Sequence, residues 1–102
     1  MYFRRESGGY FDFNSWINLT NSGTSWRGIR GIVGDNDYWR VGGSATAANA
    51  GYMEIATADD GNEPIYVRQY TGAYSTITRT LALLDANGNS FFPGNITCLG
   101  AP

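Results

Sequence analysis

The chain is punctuated by residues that force turns: Ser22-Gly23, Gly34-Asp35-Asn36-Asp37, Gly42-Gly43, Asp59-Asp60-Gly61-Asn62 and Asn87-Gly88. Gly reaches positive φ without a steric penalty, and Asn and Asp bond back to their own backbone, so such clusters stop whatever precedes them. What lies between them is β-prone. Strand-like segments read at 9–13, 15–19, 25–33, 37–41, 52–57, 65–70, 76–84 and 90–92. Alternation is clearest in the second half. Met53 and Ile55 oppose Tyr52, Glu54 and Ala56, and Ile65 and Val67 alternate with Tyr66 and Arg68. Ile77, Leu81 and Leu83 read as one apolar row, interrupted by Arg79, which must reach a carboxylate, a carbonyl or solvent because an unpaired buried charge is costly. Asn87-Gly88 predicts a type I′ turn, in which both central residues take positive φ. The run from Ser44 to Ala50 is the one helix-compatible stretch. It is short, flanked by glycines and without an apolar stripe, so it reads as a loop. The expected fold is all-β, built of short antiparallel strands and many tight turns.

At 102 residues the chain is one domain or one module of something longer. All seven basic residues are Arg, and the nine acids leave a net charge of −2. The arginines are spread along the chain, which argues against a nucleic-acid partner, since that needs clustered positive charge. Cys98 is the sole cysteine and reads as a small apolar side chain, because no intramolecular disulfide is open to it. No stretch approaches the roughly 18 apolar residues of a membrane span. MYFRRESGGY lacks the apolar core of a secretory signal, so the expectation is synthesis in the cytoplasm.

Catalytic readings are weak. The chain has no His, which removes Ser–His and Cys–His nucleophile systems and His metal sites. A glycosidase-type carboxylate pair could be drawn from Glu54, Asp59, Asp60 or Glu63, but it needs a deep cleft that a thin β-structure does not offer. Asp59-Asp60-Gly61-Asn62-Glu63 could hold calcium, yet its residues are those a solvated turn selects, and it reads as near Asp35-Asn36-Asp37 only in composition. The segment from Asp85 has its glycine in the wrong place for an EF-hand loop and Ile96 where the bidentate Glu belongs. The expectation is no enzyme activity, no metal and no cofactor. Asn18-Leu-Thr20 and Asn95-Ile-Thr97 match the glycosylation sequon, a pattern too frequent by chance to carry weight.

Many short strands leave many unpaired edges, and Phe11, Phe13 and Trp16 have no obvious local core. Both difficulties vanish if subunits pack on one another in a closed assembly. Trp26, Tyr38, Trp39, Tyr66 and Tyr70 could stack on sugar rings, but aromatic residues more often bury large areas in cores and subunit contacts. They are therefore candidates for glycan or subunit contact, with the subunit reading favoured.

Three blocks, WRGIRGIVGDNDYWRVGG (26–43), AGYMEIATADDGNEPIYVRQYTG (50–72) and TRTLALLDANGNSFFPGNI (78–96), together resemble the tail-fibre proteins of tailed phages and prophages of enterobacteria. The middle block is the most specific. The last resembles the family's recurring module ending, Leu-Leu-Asp-x-x-Gly-Asn followed by a strand into Phe-Pro-Gly. The resemblance implies a homotrimer of intertwined or side-by-side β-structure, located in the virion and synthesised in the host cytoplasm. Its implied partners are other copies of itself, other tail or fibre proteins, and host lipopolysaccharide or an outer-membrane protein. It divides the chain into 1–23, the end of a preceding module; 24–94, a fibre β-module; and 95–102, the start of a truncated following module. Under this reading Arg27, Arg30, Arg40 and Arg68 form planar ion pairs within or between subunits, with Asp59 and Glu63 among the acceptors. The alternative is a carbohydrate-binding module that recognises bacterial surface glycans through exposed Trp and Tyr.

Overall fold

A computed structural model describes residues 12–100. It is all-β, with five strands and no helix among the described residues: β1 (Arg27–Val33), β2 (Asp37–Ala45), β3 (Gly51–Ala58), β4 (Ile65–Thr71) and β5 (Thr76–Leu84). They form a three-stranded antiparallel sheet, β1-β2-β3, and a separate antiparallel pair, β4-β5. The predicted segment 15–19 is described and carries no strand, and 9–13 lies mostly outside the described residues. Segment 90–92 shrinks to a single bridge, in which Phe91 exchanges two backbone hydrogen bonds with Ala82.

Each connection follows from its turn chemistry. Gly34, at φ 59°, opens the three-residue turn between Val33 and Asp37. Of the expected Ser44–Ala50 loop, Ser44 and Ala45 instead end β2, paired with Tyr52 and Gly51, and 46–50 form the loop, closed by Thr46 N–H to the Ala50 carbonyl and Ala50 N–H to the Ala47 carbonyl, both at 3.1 Å. Gly72 and Tyr74 both take positive φ between β4 and β5, where the Ser75 hydroxyl donates to the Thr71 carbonyl at 2.9 Å.

After β5 the turn is not type I′. Only Gly88 reaches positive φ there; Asn87 does not. Gly88 N–H donates to the Asp85 carbonyl at 3.0 Å, so Ala86 and Asn87 are the central residues of a type I turn, and left-handed Gly88 follows it. The Asp85 carboxylate decides this outcome. Its Oδ1 accepts N–H bonds from Asn87 and Asn89, both at 2.9 Å, which holds the chain in an Asx geometry.

Period-two alternation sets the faces of the three-stranded sheet, and the register aligns them. The row Ile29–Val41–Ile55 crosses all three strands, and the row Arg30–Arg40–Ala56 crosses the other face. In the hairpin, Val67 pairs with Leu81 while Tyr66 pairs with Ala82. A register shift between Gln69 and Tyr70 leaves Thr78 outside the pairing, so Ile77 meets Tyr70 instead of extending the Leu81 row. The expected Ile77–Leu81–Leu83 line is therefore broken. Arg79 stays on its face by donating to the Gln69 side-chain carbonyl at 2.9 Å.

There is no core in the usual sense. Among the described residues Ala82 is the only buried hydrophobic one, flanked by Tyr66 on β4 and by Phe91. Residues such as Ile29, Ile55, Met53, Val67 and Phe91 each leave more than half of their surface open. The radius of gyration is 17.6 Å, against about 13 Å for a compact chain of this length.

Candidate functional site

Turn and sheet geometry gather the singled-out residues into three groups. The first stands at the β2–β3 ladder. Arg40 donates from Nε to Glu54 Oε1 at 2.8 Å, and its guanidinium lies 3.7 Å from the centre of the Trp26 ring. Tyr52 meets the same indole edge-on, with centroids 5.8 Å apart. The strand pattern makes this possible: Arg40, Gly42 and Ser44 share a face with Glu54 and Tyr52 across the register. The Ser44 hydroxyl donates to the Thr24 carbonyl at 2.7 Å and brings the chain before β1 back over this face. Arg27 donates to the Trp26 carbonyl at 2.8 Å. Tyr52 and Ser44 were not singled out from the sequence, although their even spacing with Glu54 and Arg40 was visible there.

Arg30 lies directly opposite Arg40 and has no carboxylate partner among the described residues. Like charges facing each other across a ladder weaken it, and here Glu54 offsets only one of the two.

The second group is in the hairpin. Arg68 stacks 4.3 Å above the Tyr66 ring and donates to the Thr80 hydroxyl at 3.1 Å, while Tyr70 and Tyr74 form an edge-to-face pair at 5.4 Å. The five aromatic candidates thus do not make one platform. Trp26 and Tyr66 each carry a guanidinium on the ring face a sugar would need. Trp39 lies on the other face of its sheet, packed over Gly31, where an added Cβ would fall 2.7 Å from Nε1 of its ring. Tyr38 is on the Arg40 face, paired with Ile32.

The third group is acidic and corrects the sequence reading. Tyr38 pairs with Ala58, so the next step along the ladder puts Asp37 beside the Asp59 loop. Carboxylate oxygens of Asp37, Asp59 and Glu63 then lie within 4.8 Å of one another. The two turns are neighbours in space and not only alike in composition. Glu63 is already engaged: Oε1 accepts from Asp60 N–H at 2.6 Å, and Oε2 from Gly61 and Asn62 N–H at 3.1 and 3.0 Å. These donors, with Asp60 contributing most, hold the Glu63 carboxyl below its ordinary value. Asp59 is pushed up, first by loss of hydration and then by the charges of Asp60, Glu63 and Asp37. It also sits at φ 135°, outside the usual range for a residue with a side chain. Glu63 therefore acts as the anion of its own loop, and both of its oxygens are committed to backbone donors.

Among the described residues Glu54, Glu63 and Asp85 border one open hollow between β3 and the turn after β5. Another hollow lies on a sheet face and is formed by Arg30, Ile32, Tyr38 and Ala58. No protein-family model, curated protein or solved structure matches the chain.

Proposed function

We propose that this chain is a non-catalytic structural segment of a phage tail fibre, assembled as a homotrimer and taking part in attachment of the virion to the host cell surface. The observation that carries the reading is the inverted burial: Ala82 is covered while Trp39, Val41, Ile55, Val67 and Phe91 stay open. A monomer in this state gains little from hydrophobic burial against the entropy of ordering its backbone. Partner chains would supply the missing cover. The three sequence blocks that resemble tail-fibre modules coincide with the strands, since 26–43 spans β1 and most of β2, 50–72 spans β3 and β4, and 78–96 spans most of β5 and the Phe91 bridge.

The fold suits load-bearing better than chemistry. Strands are joined by short turns pinned by Asp85, Glu63 and Ser75, and the Arg40–Glu54 ion pair and two stacked guanidiniums sit on exposed faces. The carbohydrate-binding alternative has less support, because guanidiniums already occupy the rings of Trp26 and Tyr66. Light scattering on the purified chain tests the assembly: the expected mass is three times the 11.1 kDa protomer. A clean monomer at micromolar concentration would sink the reading. Lipopolysaccharide binding lost on Trp39→Ala with the oligomer intact would favour the alternative.

A further inference from the structure

The register sorts the β1-β2-β3 sheet into two unlike faces. One carries the row Ile29–Val41–Ile55, flanked by Gly31–Trp39–Thr57 and by Arg27–Gly43–Met53. Its middle holds no charge; Arg27 and Asp37 stand only at its ends. The other carries Arg30–Arg40–Ala56, Gly28–Gly42–Glu54 and Ile32–Tyr38–Ala58, with Trp26 drawn over it by Arg40. On the first face Ile29 is 58%, Ile55 51% and Met53 72% exposed, so the chain itself does not cover the row. A sheet face of this kind, apolar across three strands, is stable in water only when something is packed on it.

We propose that this apolar face is the seam through which copies of this chain pack together, while the Arg40–Glu54–Trp26 face stays turned to solvent. The proposal rests on the self-assembling reading above and adds which face does the assembling. The occupant is another copy because of the area involved. The chain exposes 9202 Å², where a compact monomer of this mass exposes about 5,700 Å². The excess, roughly 3,500 Å² per chain, is more than the roughly 800 Å² that a standard partner covers on each side and is enough for the roughly 1,000–2,500 Å² that each subunit of an obligate homo-oligomer buries. The opposite face is unsuited to the same burial. Arg30 and Arg40 would enter it with one carboxylate between them, and desolvating an unpaired guanidinium is costly.

Thiol protection tests the choice of face. In a Cys98→Ser background, Met53→Cys places a thiol on the proposed seam and Ile32→Cys places one on the other face. Met53 is 72% and Ile32 59% exposed in the single chain, so an unassembled protein labels position 53 at least as fast as position 32. In the assembled protein the expected order is reversed, with position 53 slower by on the order of tenfold or more, and the difference vanishes in denaturant. Equal labelling, or protection at 32 instead of 53, overturns the proposal. Should either thiol variant fail to fold, sedimentation of Val41→Glu and Ile32→Glu decides: the first is expected to dissociate and the second to keep its mass, and the reverse pattern overturns the assignment. If the unsubstituted chain sediments as a monomer, the self-assembling reading itself falls, and the seam with it. An oligomer that persists in Val41→Glu removes the seam alone.

Discussion

Glu63 and Asp59 stand a few residues apart and respond to acid in opposite directions. Glu63 is held low by N–H groups of Asp60, Gly61 and Asn62, so its contribution to the fold is complete above the unfolded carboxyl value and is lost as pH falls through the lower folded one. Asp59 is raised, so its unfavourable charge is relieved as pH falls through its folded value, before Glu63 gives way. Thermal melts from pH 7 downward are therefore expected to show the melting temperature rising or levelling first and then dropping. Asp59→Asn should remove the early rise, and Glu63→Gln should remove the later drop while lowering stability at pH 7. Identical profiles for all three proteins would show that the loop is not held in this way. Glycines give a second contrast. A Cβ on Gly28 would lie 2.3 Å from the Val41 carbonyl oxygen and 2.7 Å from the Gly42 Cα, both backbone, whereas one on Gly51 meets nothing nearer than 3.8 Å. Gly28→Ala is expected to cost about 1–3 kcal/mol, because the β1–β2 ladder must open, and Gly51→Ala much less. Chemical denaturation of the two variants measures the difference.

The turn after β5 is held by a single carboxylate. Asp85 Oδ1 takes two N–H donors, and the turn it shapes returns the chain so that Phe91 can bridge to Ala82. Asp85→Ala removes both bonds and is expected to destabilise by about 1 kcal/mol, with hydrogen exchange of the Phe91 and Ala82 amides rising together. If those amides keep their protection, the turn stands without the carboxylate. The same element shows what the sequence could and could not reveal. The stop at Asp85-Ala-Asn-Gly-Asn was legible because Asp, Asn and Gly each limit the backbone locally. The turn type was not, since it follows from the bonds Asp85 makes. Met53 and Ile55 were correctly placed on one face because alternation is a property of the strand alone. Ile77 was not, because the register shift opposite Gln69 and Tyr70 depends on the partner strand. Likewise the nearness of Asp37 to Asp59 is set by the β2–β3 register, in which Tyr38 meets Ala58, and no reading of either turn in isolation contains it. The pairing of Arg40 with Glu54 and Trp26 was hidden for the same reason, although each residue carried the right chemistry.

A chain whose sheets each leave an apolar side open should have no stability that is independent of its concentration. An isolated two-stranded ribbon such as β4-β5 is marginal in water, and the three-stranded sheet needs its apolar face covered. If three copies fold and associate in one step, unfolding releases three chains from one particle, and mass action couples the transition to protein concentration. A tenfold rise in total chain concentration is then expected to favour the folded trimer by about 2.7 kcal/mol per particle, twice the increment for a dimer. Denaturant midpoints measured over two decades of concentration test this: they shift for an assembly, about three-quarters as far for a dimer as for a trimer because the slope m grows with the number of chains released, and not at all for a monomer. A concentration-independent midpoint would mean that the exposed rows Ile29–Val41–Ile55 and Val67–Leu81 are tolerated by a single folded chain. That outcome would remove the physical basis for assembly, because the inverted burial would then need no partner.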